Sequence, residues 1–228
     1  MSAHPLDGLV VAVIGASGAI GSRIATGAAD RGARVVLVGR DEARLREVVP
    51  GAEVVVGDLG DATLGERVVD AAKSAHGRLD GVVNAAGVVA FGALADTDDA
   101  VLEELFLTNV VGPLFLVRRV LPQLTEHGGF LVNLSAVVAE QPMAGMVAYS
   151  ASKAALTAVD RGLTKELRRA GVDVLDVRPP HTETGLVDRA LAGKAPRLPE
   201  GLAPDVVATA VLDAVEAGTP ELSSTDIG

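Results

Sequence analysis

Six short runs constrain this chain more than any other feature. Residues 9–14, 34–39, 52–56, 79–84, 129–134 and 172–177 are dominated by Val and lack the polar/apolar alternation of a half-exposed strand. Strands of that kind are covered on both faces, as in parallel sheets. Between them lie stretches with helical spacing. In 61–75, Leu64, Val68 and Ala72 recur every fourth residue, and in 150–170 Leu156, Val159, Leu163 and Leu167 share one stripe. Gly32, Gly77 and Gly171 each follow a helical stretch and shortly precede a strand, which suits the left-handed residue that ends a helix. Alternating β and α with short joints predicts a doubly wound, Rossmann-type α/β/α sandwich on a mainly parallel sheet of six or seven strands. The 228 residues fit one domain, read as two halves over about 1–90 and about 91–228. The long irregular stretch at 179–204 is of the sort that carries function, and 221–228 offers only a poor seventh strand.

Composition narrows the function classes. The chain has no Cys, which excludes a disulfide scaffold, thiol catalysis and a Cys-based metal site. Its net charge of −10 and its five aromatics, four Phe and one Tyr, argue against nucleic-acid binding. The first residues lack the basic-then-apolar pattern of a signal peptide, and no apolar stretch is read as a bilayer span. The expectation is a cytoplasmic protein without a membrane partner. One helical stretch, 102–124, is apolar nearly all round, through Leu105, Phe106, Leu107, Val110, Val111, Leu114, Phe115 and Leu116. Such a helix needs a second cover beyond its own sheet, and a subunit interface is expected there.

The first strand runs into Gly15-Ala16-Ser17-Gly18-Ala19-Ile20-Gly21 and then a helix. Glycines there let the backbone approach a diphosphate, and the free N–H groups of the helix start bind it. No Lys follows, so this is not a Walker loop. The second strand ends in Gly39-Arg40, where an acid would select NAD; a guanidinium suits a 2′-phosphate, so NADP is expected over NAD. The competing reading of Arg40 is a solvated arginine ahead of a helix capped by Asp41. Asp58-Leu59 closes the third strand, with Asp58 placed either to accept from an adenine amino group or to cap the next helix. Asn84-Ala85-Ala86-Gly87 ends the fourth with residues small enough for a flat ring to lie close.

Tyr149 is the lone tyrosine, and Lys153 follows it one helical turn later. That spacing, about 6 Å of rise on one face, places an ammonium beside the phenol, where it would lower the phenol's pKa toward a value useful for proton transfer. Ser135 ends the fifth strand, at the sheet edge where such folds bind ligands, and could converge with Tyr149 on one carbonyl oxygen. Asn109 lies inside the apolar helix, where a buried amide must find partners. His4, His76, His127 and His181 show no metal-ligand spacing, so no metal is expected; His181 alone lies near the predicted pocket.

Taken together, these segments resemble the short-chain dehydrogenase/reductase family in its classical subgroup, over nearly the whole chain. Gly15–Gly21 is similar to the family's cofactor loop, with Ile14 where Thr is usual and Ala19 at the small-residue position. Asn84–Gly87 is similar to its Asn-Asn-Ala-Gly motif with Ala for the second Asn, and Asn109, Ser135, Tyr149 and Lys153 fall on its catalytic tetrad. The resemblance implies Tyr149 as general acid/base, Ser135 on the substrate oxygen, Lys153 on the nicotinamide ribose, and Asn109 holding a relay water. It further implies Pro179, Thr182 and Thr184 beside the cofactor, although Pro180 stands where Gly is usual and Thr182 replaces an aliphatic residue. Val137, Met143, Met146 and Leu186 form the expected substrate wall. The resulting expectation is an NADP-dependent oxidoreductase interconverting a small carbonyl and its alcohol. The expected assembly is a homodimer or homotetramer through helices at about 99–124 and 149–170. A non-catalytic NADP-binding regulator is the alternative; a methyltransferase would want an acid at Gly39.

Overall fold

In a computed structural model covering residues 1–228, the six runs become strands β1 Val10–Ile14, β2 Arg34–Gly39, β3 Glu53–Val56, β4 Gly81–Asn84, β5 Phe130–Leu134 and β6 Asp173–Val177. A two-residue strand, β7 Glu221–Leu222, joins them, and every pairing is parallel in the order β3-β2-β1-β4-β5-β6-β7. Successive side chains of one strand enter different cores. Val11 and Val13 face a core shared with helices α1 (Ala19–Asp30) and α7 (Pro204–Ala217). Val10, Ala12 and Ile14 face one shared with α3 (Leu64–His76) and α5 (Gly112–His127). Two-sided burial is why these strands carry Val on both faces.

Short α2 (Glu42–Arg46) begins at Asp41, whose carboxylate accepts from Arg44 N at 3.1 Å, the capping role read from the sequence. Gly32, Gly77 and Gly171 all have positive φ, as their position after a helix requires. Strand order reverses between β1 and β4, so their carboxyl ends open a crevice, the usual ligand position in this architecture.

The apolar helix is longer than the pattern at 102–124. It runs continuously from Asp99 to His127 as α4 (Asp99–Phe106), a π turn (Leu107–Val111) and α5. By length and composition alone an 18-residue stretch of it, with mean hydropathy 1.7, could cross a membrane, a test that the core helix of a folded domain also passes. Leu116, Val117, Val120 and Leu124 are nevertheless packed into the sheet's core, while Phe106, Leu107 and Leu114 remain exposed. Helix α6 (Val147–Leu167) starts three residues earlier than the spacing suggested, so Tyr149 lies in its first turn.

The 179–204 stretch is irregular, as expected, but tethered. Thr182 bridges Leu202 in parallel, Leu191 N donates to Val89 O at 2.8 Å and Phe91 N to Ala192 O at 2.9 Å. This strap closes one side of the crevice.

Candidate active site

A cleft of about 750 Å³ runs from the glycine turn to Tyr149. At its floor the chain reverses at Gly15, with φ +76, a conformation L side chains rarely adopt. A Cβ on Gly21 would stand 2.2 Å from Gly15 O, so the helix begins against the turn itself. Gly18 precedes α1 in extended conformation without a side-chain cap, and the N–H groups of Ala19, Ile20 and Gly21 belong to the helix's first turn, where no carbonyl lies upstream to receive them. Ser17 completes the rim.

Arg40 and Asp58 face each other at the end of the cleft beyond β2 and β3, 3.7 Å apart and both solvent-exposed. Asp58 accepts from Gly60 N at 2.8 Å in a local turn and borders the cleft; it does not cap the next helix, which begins at Leu64 after Thr63. Leu59, Ala85, Ala86 and Gly87 line the middle; a Cβ on Gly87 would lie 3.1 Å from Lys153 Nζ, so the loop passes close over the amine. Pro179, Thr182 and Thr184 line the far side, with Thr182 Oγ1 held on Pro180 O at 2.9 Å. Val137, Met143, Met146 and Leu186, the expected substrate wall, all border the cleft. His181 borders it too, 3.4 Å from Glu183.

Tyr149 and Lys153 open on this same cleft from one face of α6. Their electrostatics differ from the sequence expectation. Burial alone pushes the Tyr149 phenol up to about 12, and no nearby charge lowers it. The Lys153 amine donates to Leu134 O at 2.9 Å, and burial brings it down to about 8 against the opposing pull of Asp160 and Asp176. The pair is therefore not an ammonium–phenolate couple in this state.

Ser135 and Asn84 are engaged differently from the expectation. The Ser135 hydroxyl donates to Lys153 O at 3.0 Å and accepts from Thr157 Oγ1 at 3.0 Å, which commits it to α6 and not to a substrate oxygen. The reason is strand alternation: Asn133 and Ser135 share the face of β5 that packs on α6. The next residue, Ala136, lines the cleft and packs against the cluster containing Tyr149. Asn84 and Asn109 lie behind the cleft wall. Asn84 Nδ2 donates to Asn133 Oδ1 at 3.0 Å. Asn109 clasps Val88, accepting from its N–H and donating to its carbonyl, both at 2.9 Å, with a further bond to Ser152 at 3.1 Å.

Sequence reasoning missed Arg44 and Arg189. Arg44 reaches back to Ser17 O at 2.8 Å, and with Arg189, Ser22 and Thr184 it lines a small polar pocket over the start of α1. A basic residue four positions after Arg40 was the available signal for Arg44; Arg189, on the strap, had none. Val88, Phe91 and Gln141 also border the main cleft.

A glycine turn feeding a helix at the crevice of a doubly wound sheet, with a buried tyrosine and lysine at its other end, defines a nucleotide-dependent enzyme class. Comparison with known proteins narrows it. The profile of the short chain dehydrogenase family matches residues 9–195. An uncharacterized oxidoreductase of Staphylococcus saprophyticus is 36% identical over 197 residues, 82% of each chain. A short-chain dehydrogenase from Burkholderia cenocepacia, solved in complex with NADP, superposes with a TM-score of 0.86 at 26% identity, covering 99% of this chain and 90% of that one. A second, from Streptomyces avermitilis, gives 0.84 at 31% identity, covering 97% and 88%. The chain belongs to the short-chain dehydrogenase/reductase family and is an NAD(P)-dependent oxidoreductase.

Proposed function

We propose that the protein is an NADP-preferring carbonyl reductase or alcohol dehydrogenase with Tyr149 as general acid/base. The observation carrying this reading is that Tyr149 and Lys153 open, one turn apart, on the same cleft that begins at the glycine turn. The residues present fit a dinucleotide: the uncapped first turn of α1 for the diphosphate, Arg40 at the ribose end, and the narrow Ala85–Gly87 edge for a ring. The coenzyme supplies the hydride chemistry. The protein's own work is placement. Lys153, whose amine donates to Leu134 O, would also hold the ribose, and its charge beside the phenol would favour proton release from Tyr149. In carbonyl reduction, Tyr149 gives its proton to the substrate oxygen; in alcohol oxidation it takes one back. Ser135 would join that oxygen only by releasing Lys153 O, so Tyr149 is the principal donor. The apolar wall of Val137, Met143, Met146 and Leu186 favours small or hydrophobic carbonyls.

NADPH oxidation assayed with a panel of ketones, aldehydes and quinones tests the reading. Wild type turns over at least one class, and Tyr149→Phe loses about 100-fold or more in kcat with cofactor binding retained. Binding without turnover in either protein would instead support a nucleotide-binding regulator. For the coenzyme preference, Arg40→Ala weakens NADPH about tenfold and leaves NADH nearly unchanged, as measured by fluorescence titration. Equal losses for both would remove the 2′-phosphate role. We further propose a homodimer or homotetramer through the helices at about 99–124 and 149–170.

A further inference from the structure

The coenzyme contacts named above leave two arginines without a role. Arg44 comes from α2 and Arg189 from the short turn Val187–Arg189 of the strap, and both line the small pocket of about 330 Å³ over the start of α1. Each is fixed by main-chain oxygens. Arg44 Nη2 donates to Ser17 O at 2.8 Å; Arg189 donates from Nε to Gly185 O at 3.2 Å and from Nη2 to Thr184 O at 3.3 Å. A guanidinium carries five N–H donors, so most of the donor capacity of both remains for another partner. Arg40 faces Asp58, whereas neither of these two is paired with a carboxylate.

The rest of the pocket offers nothing negative. Its other polar side chains are Ser17, Ser22 and Thr184. Thr184 Oγ1 accepts from Leu186 N at 3.2 Å, which leaves its hydrogen to donate. On a chain with 30 carboxylates against 20 cations, a pocket bordered by two unpaired arginines and no acid favours an anion. Nor is it a separate chamber. Ser17, Gly18, Thr184 and Arg189 border both this pocket and the main cleft, so an anion held here is part of whatever fills the cleft.

We propose that Arg44 and Arg189 form a cationic clamp on the coenzyme's diphosphate, one arm from α2 and the other from the strap. The inference rests on the coenzyme placement proposed above and separates two roles. Arg40 acts on the 2′-phosphate alone, whereas the clamp acts on the group that NADH and NADPH share. Guanidiniums suit that group because their planar fork can donate two parallel N–H bonds to phosphate oxygens. The strap's own tethers hold its arm in place. Arg189 N donates to Leu186 O at 3.1 Å, and Leu191, two residues on, is fastened to Val89 O at 2.8 Å. Little conformational freedom is then lost when Arg189 meets its ligand.

The test is fluorescence titration of the full chain with NADH and with NADPH, in wild type, Arg44→Gln, Arg189→Gln and Arg40→Ala. Glutamine keeps a side-chain donor for the main-chain oxygens and removes the charge, and thermal unfolding followed by circular dichroism verifies that each variant is folded. Arg168→Gln, at the exposed end of α6, controls for the loss of one positive charge anywhere on the surface. Each clamp variant is expected to weaken NADH and NADPH alike, by about tenfold. Arg168→Gln should change both by less than about twofold, and Arg40→Ala should weaken NADPH alone. Full NADH affinity in either clamp variant overturns the clamp and leaves the cleft and the Tyr149–Lys153 chemistry standing. A loss in Arg44→Gln confined to NADPH moves Arg44 to the 2′-phosphate and likewise ends the paired role. Losses no larger than that of Arg168→Gln reduce the effect to net charge and overturn it too. Wild type that binds neither coenzyme overturns the coenzyme placement itself, and the clamp with it.

Discussion

Ser135 and Ala136 show how one position along a strand end decides a chemical role. Both border the cleft, but the Ser135 hydroxyl is tied to Lys153 O and Thr157, and the methyl of Ala136 joins the apolar cluster around Tyr149. The sequence displayed a serine at the right edge of the sheet; which face it occupied depended on strand register, which a list of residue types does not carry. Tyr149 and Lys153 were legible because helical periodicity puts residues four apart on one face. Their charge states were not, since burial, a tertiary property, pushes both toward neutrality. The geometry gives a gain-of-function prediction. Ala136→Ser places a second donor beside the reacting oxygen and should raise kcat/KM for simple ketones about fivefold, the equivalent of one hydrogen bond of about 1 kcal/mol. Ser135→Ala should leave the chemistry largely intact and lower stability in urea by about 1 kcal/mol. The opposite pattern in steady-state kinetics and denaturation would restore Ser135 to the substrate oxygen.

At the scale of elements, the strands and their glycine joints were written plainly in the chain. Val on both faces of β1 and β2 requires two covering layers, and Gly32, Gly77 and Gly171 mark where helices stop. The π turn at Leu107–Val111 was not legible. Its extra residue per turn is stabilised by Asn109 clasping the backbone of Val88, a contact across 21 positions that leaves no periodic trace. The strap was recognisable as irregular but not as tethered, because its anchors at Val89 and Phe91 are backbone bonds indifferent to side-chain identity. Arg44 was missed for a related reason: its partner, Ser17 O, is a main-chain oxygen on another element.

For the whole molecule, the long apolar helix remains only partly covered. Phe106, Leu107 and Leu114, close together on this helix, are 37%, 39% and 42% exposed. Exposed apolar surface of this kind marks association sites. Leu114→Arg should therefore convert the assembly to monomers of 23.1 kDa, as read by sedimentation velocity, with little change in the circular dichroism of the fold. A wild type already sedimenting at that mass would remove the expected interface. The acidic balance, 30 carboxylates against 20 cations, means such contacts must be apolar to overcome like-charge repulsion between copies.

The tethering of the strap bears on how this enzyme's selectivity can be altered. A segment fastened at Thr182–Leu202 and again at Val89 and Phe91 behaves as a fixed arch rather than a hinged flap. The arch side chains that border the cleft, Leu186, Val187 and Leu198, are therefore the positions at which a change in ligand selection is expected. Recutting those three positions changes which molecules fit without disturbing the hydrogen bonds that hold the arch in place.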